Sequence, residues 1–369
     1  MSDERAADAV NPDTYAVARA GRRFSAEELV ERLTPWLGER LGDPGLTLRD
    51  PIVPQGAGTS SQTVLATAAW QADGSYHSRD VVFRVQPDTF QLFLEPNFSV
   101  QYRALEALHA AGAVRVPEPL FFESDLSVIG LEFYVMERVH GRVPVTSPPY
   151  MAEGWLFDAT PAERRDAWET AMEQLCLVAR SPLADHPYLT PAGAAPGSGL
   201  DRQWDYWQRS ADWVLGADPA PAFVRLREWL AANVPTHRPD GFSWGDARMG
   251  NMVFGADFHC AGVLDWEQVS DAGIRKDLAW WLYFDRFHTV GRGLERLDGL
   301  GDRAETIALW EDVLGEEAGD LTWLEAFAGF QVAVLSERTF DLIGMTERDP
   351  RANPALGLAL DVVGLERGF

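Results

Sequence analysis

The amino-acid sequence predicts an α+β protein of two lobes, a small antiparallel sheet with one main helix followed by a larger, mostly helical lobe. The chain has 369 residues, too many for one ordinary core and enough for two. Strand-like patterns are concentrated before residue 140, and amphipathic helical patterns dominate after residue 160. We therefore expect an N-terminal lobe at 1–140 and a C-terminal lobe at 141–369.

The segment "FSAEELVERLTPWL" predicts a helix at the start of the first lobe. Ser25 and Glu28 have the spacing of a capping box, in which each side chain accepts a hydrogen bond from the other residue's backbone. A glycine-containing loop and the strands of the sheet are expected to follow this helix.

Two strand-like runs come next, separated by Asp73-Gly74, a dipeptide typical of tight hairpin turns. In the second run Val81, Phe83 and Val85 alternate with other residues and so share one face of the sheet. "SVQYRALEALHAAGA" has helical spacing and ends at a glycine, and "GLEFYVMERVHG" is typical of a buried strand. The predicted order is strand, strand, strand, helix, strand.

Helical patterns dominate from "TPAERRDAWETAMEQLCLVAR" onward. Thr160 and Glu163 form a second predicted capping box, and Pro161 stands at the first helical position, where a missing N–H costs nothing. Residues 181–200 are rich in Pro, Gly and Ala and predict a long surface loop.

The charge of the chain excludes some classes of partner. With 56 acidic and 32 basic residues, the formal net charge is −24, which repels nucleic acid and anionic membranes. The same charge is compatible with attraction of a cationic small substrate, although an acidic surface that favours solubility is the simpler interpretation. We expect neither a nucleic-acid partner nor a membrane partner.

Cys176 and Cys260 are the only cysteines, and both lie in apolar contexts. This usage predicts neither a disulfide framework nor a zinc site and is typical of a reducing compartment. The first residues lack the basic and apolar regions of a signal peptide, and no apolar run approaches the ~18 residues that a membrane span needs. The expected location is the cytoplasm.

The stretch "FSWGDARMGNMVF" places Asp246 and Asn251 five residues apart between apolar flanks, and Asp265 follows the apolar run "AGVL". Phosphoryl transfer needs a carboxylate that accepts the proton of the substrate hydroxyl, oxygen ligands for Mg²⁺, and donors for the phosphates. The D-x-x-x-x-N spacing is that of a kinase catalytic loop. It therefore predicts Asp246 as the base, with Asn251 and Asp265 as metal ligands, whereas taken alone Asn251 is equally typical of a turn cap.

The combined pattern "FSWGDARMGNMVF…GVLDWEQVSDAGIRKDLAWWL" resembles the aminoglycoside phosphotransferase and choline kinase family. The usual form in that family is H-G-D-x-x-x-x-N followed by a D-W-E or similar segment. "DLSVIGLEFYVMERVHGR" resembles more narrowly the kinase-like domain fused to some acyl-CoA dehydrogenases. The resemblance covers roughly residues 25–345. It implies a protein-kinase-like bilobal fold with ATP and Mg²⁺ in the cleft.

The resemblance assigns the phosphate-covering loop to a group of small residues whose backbone N–H groups can approach phosphate closely. These residues are Gly56, Gly58, Thr59, Ser60 and Ser61. An ordinary glycine turn is the alternative interpretation of the same segment.

Arg84, in "VVFRVQP", occupies the position of the kinase strand lysine, and Lys276 is the sole lysine of the chain. A permanently charged guanidinium can bind phosphate through two parallel hydrogen bonds, although a surface arginine gives the same local pattern. Gln101 stands where the family has a helix glutamate. We therefore expect only an amide contact in place of the usual ion pair.

The resemblance places the hinge between the lobes at Met136, Glu137 and Val139, where extended backbone can bind an adenine edge; a buried strand exit is the alternative. Arg248 follows Asp246 by two residues and either contacts the transferring phosphate or faces solvent. We weigh these two interpretations equally.

Several neighbouring residues are given structural roles. Trp244 replaces the family's usual histidine and is expected to pack in the core, and Asp277 is expected to support the catalytic loop. A cluster of tryptophans either lines the acceptor pocket or forms an aromatic core face, which is the commoner arrangement. These residues are Trp204, Trp207 and Trp213.

The sequence thus predicts an ATP- and Mg²⁺-dependent phosphotransferase that acts on a hydroxyl of a small molecule. The alternative is a catalytically weak nucleotide-binding regulator, because Gln101 and Arg84 depart from the family pattern. A protein kinase is disfavoured, because no A-P-E-like segment follows Asp265. The acceptor stays open among aminoglycosides, other amino-alcohols, hydroxy acids or their thioesters, and natural-product hydroxyls.

Overall fold

The computed structural model describes residues 24–54, 60–89, 91–146, 148–190, 193, 196–345 and 353–367. Gly56, Gly58 and Thr59 of the predicted phosphate loop lie outside these residues. The first lobe contains five strands: β1 (Thr47–Ile52), β2 (Gln62–Ala72), β3 (Ser75–Val85), β4 (Pro119–Glu123) and β5 (Phe133–Glu137). They pair antiparallel in the order β1-β2-β3-β5-β4.

Helix α1 (Ala26–Leu41) begins at the predicted capping box. Ser25 Oγ accepts a hydrogen bond from the Glu28 N–H at 3.1 Å, and Glu28 Oε2 accepts one from the Ser25 N–H at 2.8 Å. Its apolar residues recur one turn apart and therefore lie on one side. That side packs against the sheet through Leu29, Leu33 and Leu37.

The β2–β3 hairpin turns at Asp73 and Gly74, as predicted, with φ values of 51° and 73°. Positive φ at both positions matches the right-handed twist of the flanking strands. Val81, Phe83 and Val85 lie on the α1 side and are at most 2% exposed. Because side chains alternate along a strand, Arg84 lies on the opposite face and is directed toward the second lobe.

Helix α2 (Phe98–Ala111) connects β3 to β4 and carries Gln101 on its buried face. It ends where the sequence predicts, at Gly112 with φ 69°. This left-handed backbone favours glycine, which has no Cβ to clash. The predicted three strands and helix are confirmed in this lobe, but two strands, β4 and β5, follow the helix where one was predicted.

The second lobe is mostly helical. Its helices are α3 (Trp155–Asp158), α4 (Pro161–Ala179), α5 (Gly199–Leu215), α6 (Pro221–Ala232), α7 (Ile274–His288), α8 (Arg303–Leu314), α9 (Thr322–Leu342) and α10 (Pro354–Val362). A two-stranded sheet, β6 (Met252–Phe254) and β7 (Cys260–Val263), follows the catalytic loop. The capping box at Thr160 and Glu163 begins α4, as predicted.

The tryptophans of α5 are largely core residues. Trp204 and Trp207 are 8% and 2% exposed, and Trp204 packs edge-on against Trp323 and Phe327 of α9. Trp213, by contrast, is 37% exposed and has the Arg338 guanidinium 4.2 Å from its ring centre. The aromatic core interpretation therefore holds for the first two residues.

Both cysteines, Cys176 and Cys260, are buried and unpaired, as their apolar contexts predict. Among the residues that the structure describes, no helix combines the length and apolar character needed to cross a bilayer.

Asp277 on α7 anchors the catalytic loop, the supporting role that the sequence predicts. Its carboxylate accepts three hydrogen bonds, from Ser243 Oγ at 2.9 Å, the Trp244 N–H at 2.7 Å and the Gly245 N–H at 2.8 Å. Gly245 has φ 93°, and a Cβ there would lie 2.0 Å from the Gln268 carbonyl oxygen. A side chain at this position would clash with the neighbouring backbone, so this turn of the catalytic loop requires glycine.

We predict that Asp277→Ala lowers the free energy of unfolding by about 3–5 kcal/mol, because three buried donors lose their acceptor. Urea unfolding measures this loss. Asp218→Ala, at an exposed position, is the control and should change stability by less than about 0.5 kcal/mol. Equal stability of the two variants would contradict the anchoring role.

Candidate active site

The Asp246 carboxylate, the predicted base, is held by three donors. Oδ1 accepts hydrogen bonds from Trp280 Nε1 at 2.8 Å and Arg248 Nε at 3.0 Å, and Oδ2 accepts one from Asn251 Nδ2 at 2.7 Å. Because the Asn251 amide nitrogen is directed at Asp246, its Oδ1 is the atom left to bind a cation. The structure therefore brings the predicted base and one predicted metal ligand into direct contact.

Arg248 does not face solvent, so that interpretation of the sequence was wrong. Its side chain is 21% exposed, pairs with Asp246 at 3.0 Å and lies 5.4 Å from the centre of the Phe284 ring. Burial opposes its charge, but the neighbouring Asp246 and Asp265 carboxylates hold its pKa above the ordinary value. The arginine is thus a fixed positive charge beside the base, and its contact with phosphate stays a prediction.

Asp265 follows β7 and has a left-handed backbone with φ 62°. Burial raises the pKa of its carboxyl group and the nearby Asp246 carboxylate raises it further, while Arg84 opposes the shift. A divalent cation would relieve this repulsion, and Asp265 with Asn251 Oδ1 supplies the hard oxygen ligands that Mg²⁺ prefers. Among the described residues no three His, Cys, Asp or Glu side chains form a metal cluster, so these two ligands and phosphate oxygens would have to hold the ion.

Trp244 is fully buried, as predicted, but it also makes a contact that the sequence did not reveal. Its indole N–H lies 2.9 Å from the Leu264 carbonyl oxygen and 2.8 Å from the Asp265 carbonyl oxygen. A tryptophan in an apolar stretch signals packing only, because the partners of its N–H depend on tertiary placement.

Arg84 forms an ion pair with Glu267, a residue that the sequence analysis did not single out. The distance from Arg84 Nη2 to Glu267 Oε1 is 2.6 Å, and the side chains are 11% and 7% exposed. Ser60 Oγ and Ser61 Oγ donate to the same oxygen at 2.6 and 3.3 Å. The signal was present in the sequence, since Glu267 is the third residue of the D-W-E segment.

The Glu267 carboxyl group is electrostatically strained. Burial and the neighbouring Asp265 raise its pKa to about 7, although Arg84 and the two serine hydroxyls stabilise the charged form. This arrangement joins β3 and the end of the predicted phosphate loop to the segment that carries Asp265.

Gln101 does not contact Arg84, so the expected amide contact was wrong. Among the described residues, neither the buried Oε1 of Gln101 nor the buried Nε of Arg84 has a hydrogen-bond partner. The physical reason is that Glu267 of the second lobe occupies the acidic position beside the arginine. Gln101 and Glu267 both line a small pocket that is open to solvent beneath the β3–α2 loop.

Lys276 lies on α7 and not on β3, so no lysine competes with Arg84 for the predicted strand position. It is 3% exposed, its Nζ lies 3.5 Å from the Gly245 carbonyl oxygen, and it stands 5.3 Å from the Trp280 ring centre. Burial lowers its pKa, while Asp277 and Asp246 oppose that shift. The lysine therefore supports the catalytic loop from behind.

The predicted hinge begins within β5, at Met136 and Glu137, and continues beyond the end of this strand to Val139. The Glu137 N–H donates to the Glu118 carbonyl at 2.8 Å, and the Arg138 N–H donates to the Asp80 carbonyl at 3.0 Å. Val139 then packs over β7, where a Cβ on Gly262 would lie 3.2 Å from its side chain. Met136 is 9% exposed, and adenine binding by this segment stays a prediction.

This fold is shared by solved structures that include the following three. A candidate aminoglycoside phosphotransferase from Ralstonia eutropha is 24% identical, with a TM-score of 0.64 and coverage of 90% of this chain and 98% of that one. An aminoglycoside phosphotransferase solved with ADP and hygromycin B is 17% identical (TM-score 0.53, coverage 91% and 98%). A choline kinase from Streptococcus pneumoniae is 9% identical (TM-score 0.55, coverage 90% and 98%). At these identities the likeness shows the kinase-like bilobal fold.

Curated relatives match part of their length. Acyl-CoA dehydrogenase family member 11 of Gallus gallus is 36% identical over 182 residues, which are 49% of this chain and 22% of that protein. The Homo sapiens protein of the same name is 29% identical over 236 residues, 61% of this chain and 28% of that protein. The chain thus spans about a quarter of the length of these relatives.

The family model described as the phosphotransferase enzyme family matches residues 54–313. This span contains the strand arginine, the hinge, the catalytic loop and the Asp265 segment, whose geometry is described above. The chain belongs to the phosphotransferase enzyme family.

Proposed function

We propose that this protein transfers the γ-phosphate of ATP to a hydroxyl of a small molecule, with Mg²⁺ as the metal. The observation that supports this most directly is the contact between Asp246 and Asn251 in a loop that Asp277 fixes from below. A base and a metal ligand held this rigidly suit a reaction whose catalysis is mostly positioning and charge stabilisation.

Asp246 would orient the acceptor hydroxyl and take its proton. An ionised carboxylate offers about two acceptor positions on each oxygen. Oδ1 already accepts from Trp280 and Arg248, whereas Oδ2 accepts only from Asn251 among the described side chains. The acceptor hydroxyl is therefore expected to donate to Oδ2, and its proton moves to that oxygen as the new O–P bond forms. The bond between the γ-phosphorus and the β–γ bridging oxygen breaks, and ADP leaves.

Asp265 and Asn251 Oδ1 would hold the metal ion, which supplies charge neutralisation on the phosphate oxygens. Arg248 lies beside Asp246 and adds a positive charge where the transferring phosphate would be. We assign to Gly56, Gly58, Thr59, Ser60 and Ser61 the loop that covers the phosphates.

Arg84 is the proposed phosphate cation of the first lobe. One of its terminal nitrogens donates to Glu267, while its Nε is buried and has no partner in the described part of the chain. A buried, unpaired guanidinium nitrogen is costly and is readily satisfied by a phosphate oxygen. Gln101 lies nearby on α2, and the hinge residues Met136, Glu137 and Val139 would carry the adenine.

The acceptor is best sought by a screen. ADP release would be measured with purified protein, Mg·ATP and a panel of hydroxylated compounds that includes aminoglycosides, amino-alcohols, hydroxy acids and their thioesters. Hydroxy acids and thioesters belong in the panel because the curated relatives are named acyl-CoA dehydrogenase family members.

Protein that binds Mg·ATP and transfers phosphate to no compound of the panel would favour a nucleotide-binding regulator. The structure weakens the original reason for that alternative, since Glu267 supplies the acidic partner that Gln101 lacks.

We predict that Asp246→Asn and Asp265→Asn fail in different ways. Asp246→Asn keeps the size of the side chain but removes the proton acceptor, so turnover falls by about 10²-fold or more while Mg·ATP still binds. Asp265→Asn weakens the hold on Mg²⁺, so the Mg²⁺ concentration needed for half-maximal rate rises as well. Calorimetry and ADP release measure both effects. Near-normal turnover of folded Asp246→Asn would rule out this mechanism.

Arg84→Gln is expected to weaken ATP binding about 10- to 100-fold, the usual consequence of losing a charge-assisted hydrogen bond. Arg84→Lys is the matched control, because it restores the family's cation and should retain most of the affinity. Calorimetric titration with ATP tests both variants. Unchanged affinity in folded Arg84→Gln would show that the strand arginine does not bind nucleotide.

Gln101→Glu should not increase turnover. A glutamate at this position would add a second carboxylate to the pocket that Glu267 already lines, and Arg84 already has its ion-pair partner. The expected result is unchanged or reduced turnover in the ADP-release assay. A large gain would instead indicate that the natural protein is a weakened kinase.

A further inference from the structure

We propose that Trp244 is a positioning residue for the metal site. Its indole N–H holds the carbonyl groups of Leu264 and Asp265 and so fixes the direction of the Asp265 carboxylate. The inference rests on the proposed function in one respect, namely that Asp265 binds the metal of the nucleotide complex.

The first argument is the backbone of the turn. Asp265 has φ 62°, a left-handed conformation that residues with a side chain rarely adopt without support. The carbonyl oxygens of two consecutive residues, Leu264 and Asp265, lie 2.9 and 2.8 Å from the same indole nitrogen. One fixed donor shared by both carbonyls selects this turn over an extended continuation of β7.

The second argument is that Trp244 itself cannot move. It is fully buried, its backbone N–H donates to Asp277 Oδ2 at 2.7 Å, and its ring centre lies 5.7 Å from that of Trp266. Its backbone therefore belongs to the loop that carries Asp246, and its side chain supports the segment that carries Asp265. A single residue links the proposed base to the proposed metal ligand.

The third argument is that packing alone does not account for the hydrogen bond. The indole N–H groups of three other buried tryptophans find no partner in the described structure: Trp168, Trp266 and Trp310. Trp266 is in direct ring contact with Trp244 and occupies the same core. This core therefore accommodates unbonded indoles, and the bond made by Trp244 is particular to the Asp265 turn.

Trp244→Phe tests the inference, because it removes the N–H and keeps an aromatic ring. Trp323→Phe is the matched control. Trp323 lies on helix α9 in the core of the second lobe, is 4% exposed, and its indole N–H donates to the Leu230 carbonyl at 2.9 Å. Trp244→His restores the family's residue at this position and keeps a ring N–H. All three variants are made in the full chain.

Two measurements are compared. The first is hydrogen exchange of residues 262–267 in nucleotide-free protein, read by mass spectrometry, which reports the hold on the turn without any ligand. The second is the gain in ATP affinity on adding Mg²⁺, read by calorimetry. We expect Trp244→Phe to speed the exchange and to reduce the Mg²⁺ gain, each by roughly three- to tenfold, the usual effect of one hydrogen bond. ATP affinity without Mg²⁺ and both properties of Trp323→Phe should match wild type.

The result that overturns the inference is a Trp244→Phe protein whose exchange and Mg²⁺ gain equal those of Trp323→Phe. Should Trp244→Phe not fold, Trp244→His decides. In that variant the exchange of the turn and the Mg²⁺ gain must be retained together or lost together, and a change in one alone overturns the inference. Wild-type protein without any Mg²⁺ gain would overturn the proposed function instead, while the exchange data would still show whether Trp244 holds the turn.

Discussion

The site depends on one buried carboxylate that is not expected to react. Asp277 accepts hydrogen bonds from three consecutive residues, and this convergence gives the catalytic loop its shape. The shape of the loop fixes the direction of the Asp246 side chain, and the indole N–H of Trp244, a residue of the same loop, holds the Asp265 turn. Preorganisation of this kind matters for phosphoryl transfer, because the protein contributes geometry and charge more than covalent chemistry.

The charges around the loop are not balanced, because four carboxylates lie near three cations. The carboxylates are Asp246, Asp265, Glu267 and Asp277, and the cations are Arg84, Arg248 and Lys276. Burial raises the pKa values of Asp265 and Glu267, and repulsion from a neighbouring carboxylate raises each of them further. A divalent cation brought in with the nucleotide is what this imbalance would favour.

Local patterns predicted the fold well because their causes are local. A capping box joins residues three apart, the Asp73-Gly74 turn spans two, and the contact between Asp246 and Asn251 joins residues five apart. The ion pair between Arg84 and Glu267 joins residues 183 apart, and nothing in the sequence around β3 specifies that partner. The position of the family's glutamate instead led to a predicted amide contact between Gln101 and Arg84. In the structure Glu267 of the second lobe pairs with Arg84 in its place. The nucleotide-binding roles of the hinge and phosphate loop stay predictions.

The exchange of lysine for arginine on β3 also changes the reactivity of the cleft toward electrophiles. A guanidinium stays protonated at any ordinary pH and is a poor nucleophile, whereas an amine of lowered pKa acylates readily. The chain's sole amine side chain, Lys276, is buried behind the catalytic loop at 3% exposure. Acyl-phosphate derivatives of nucleotides, which tag kinases by acylating a lysine beside the phosphates, therefore have no target amine in this cleft. A profiling experiment built on such reagents would label no lysine of this cleft.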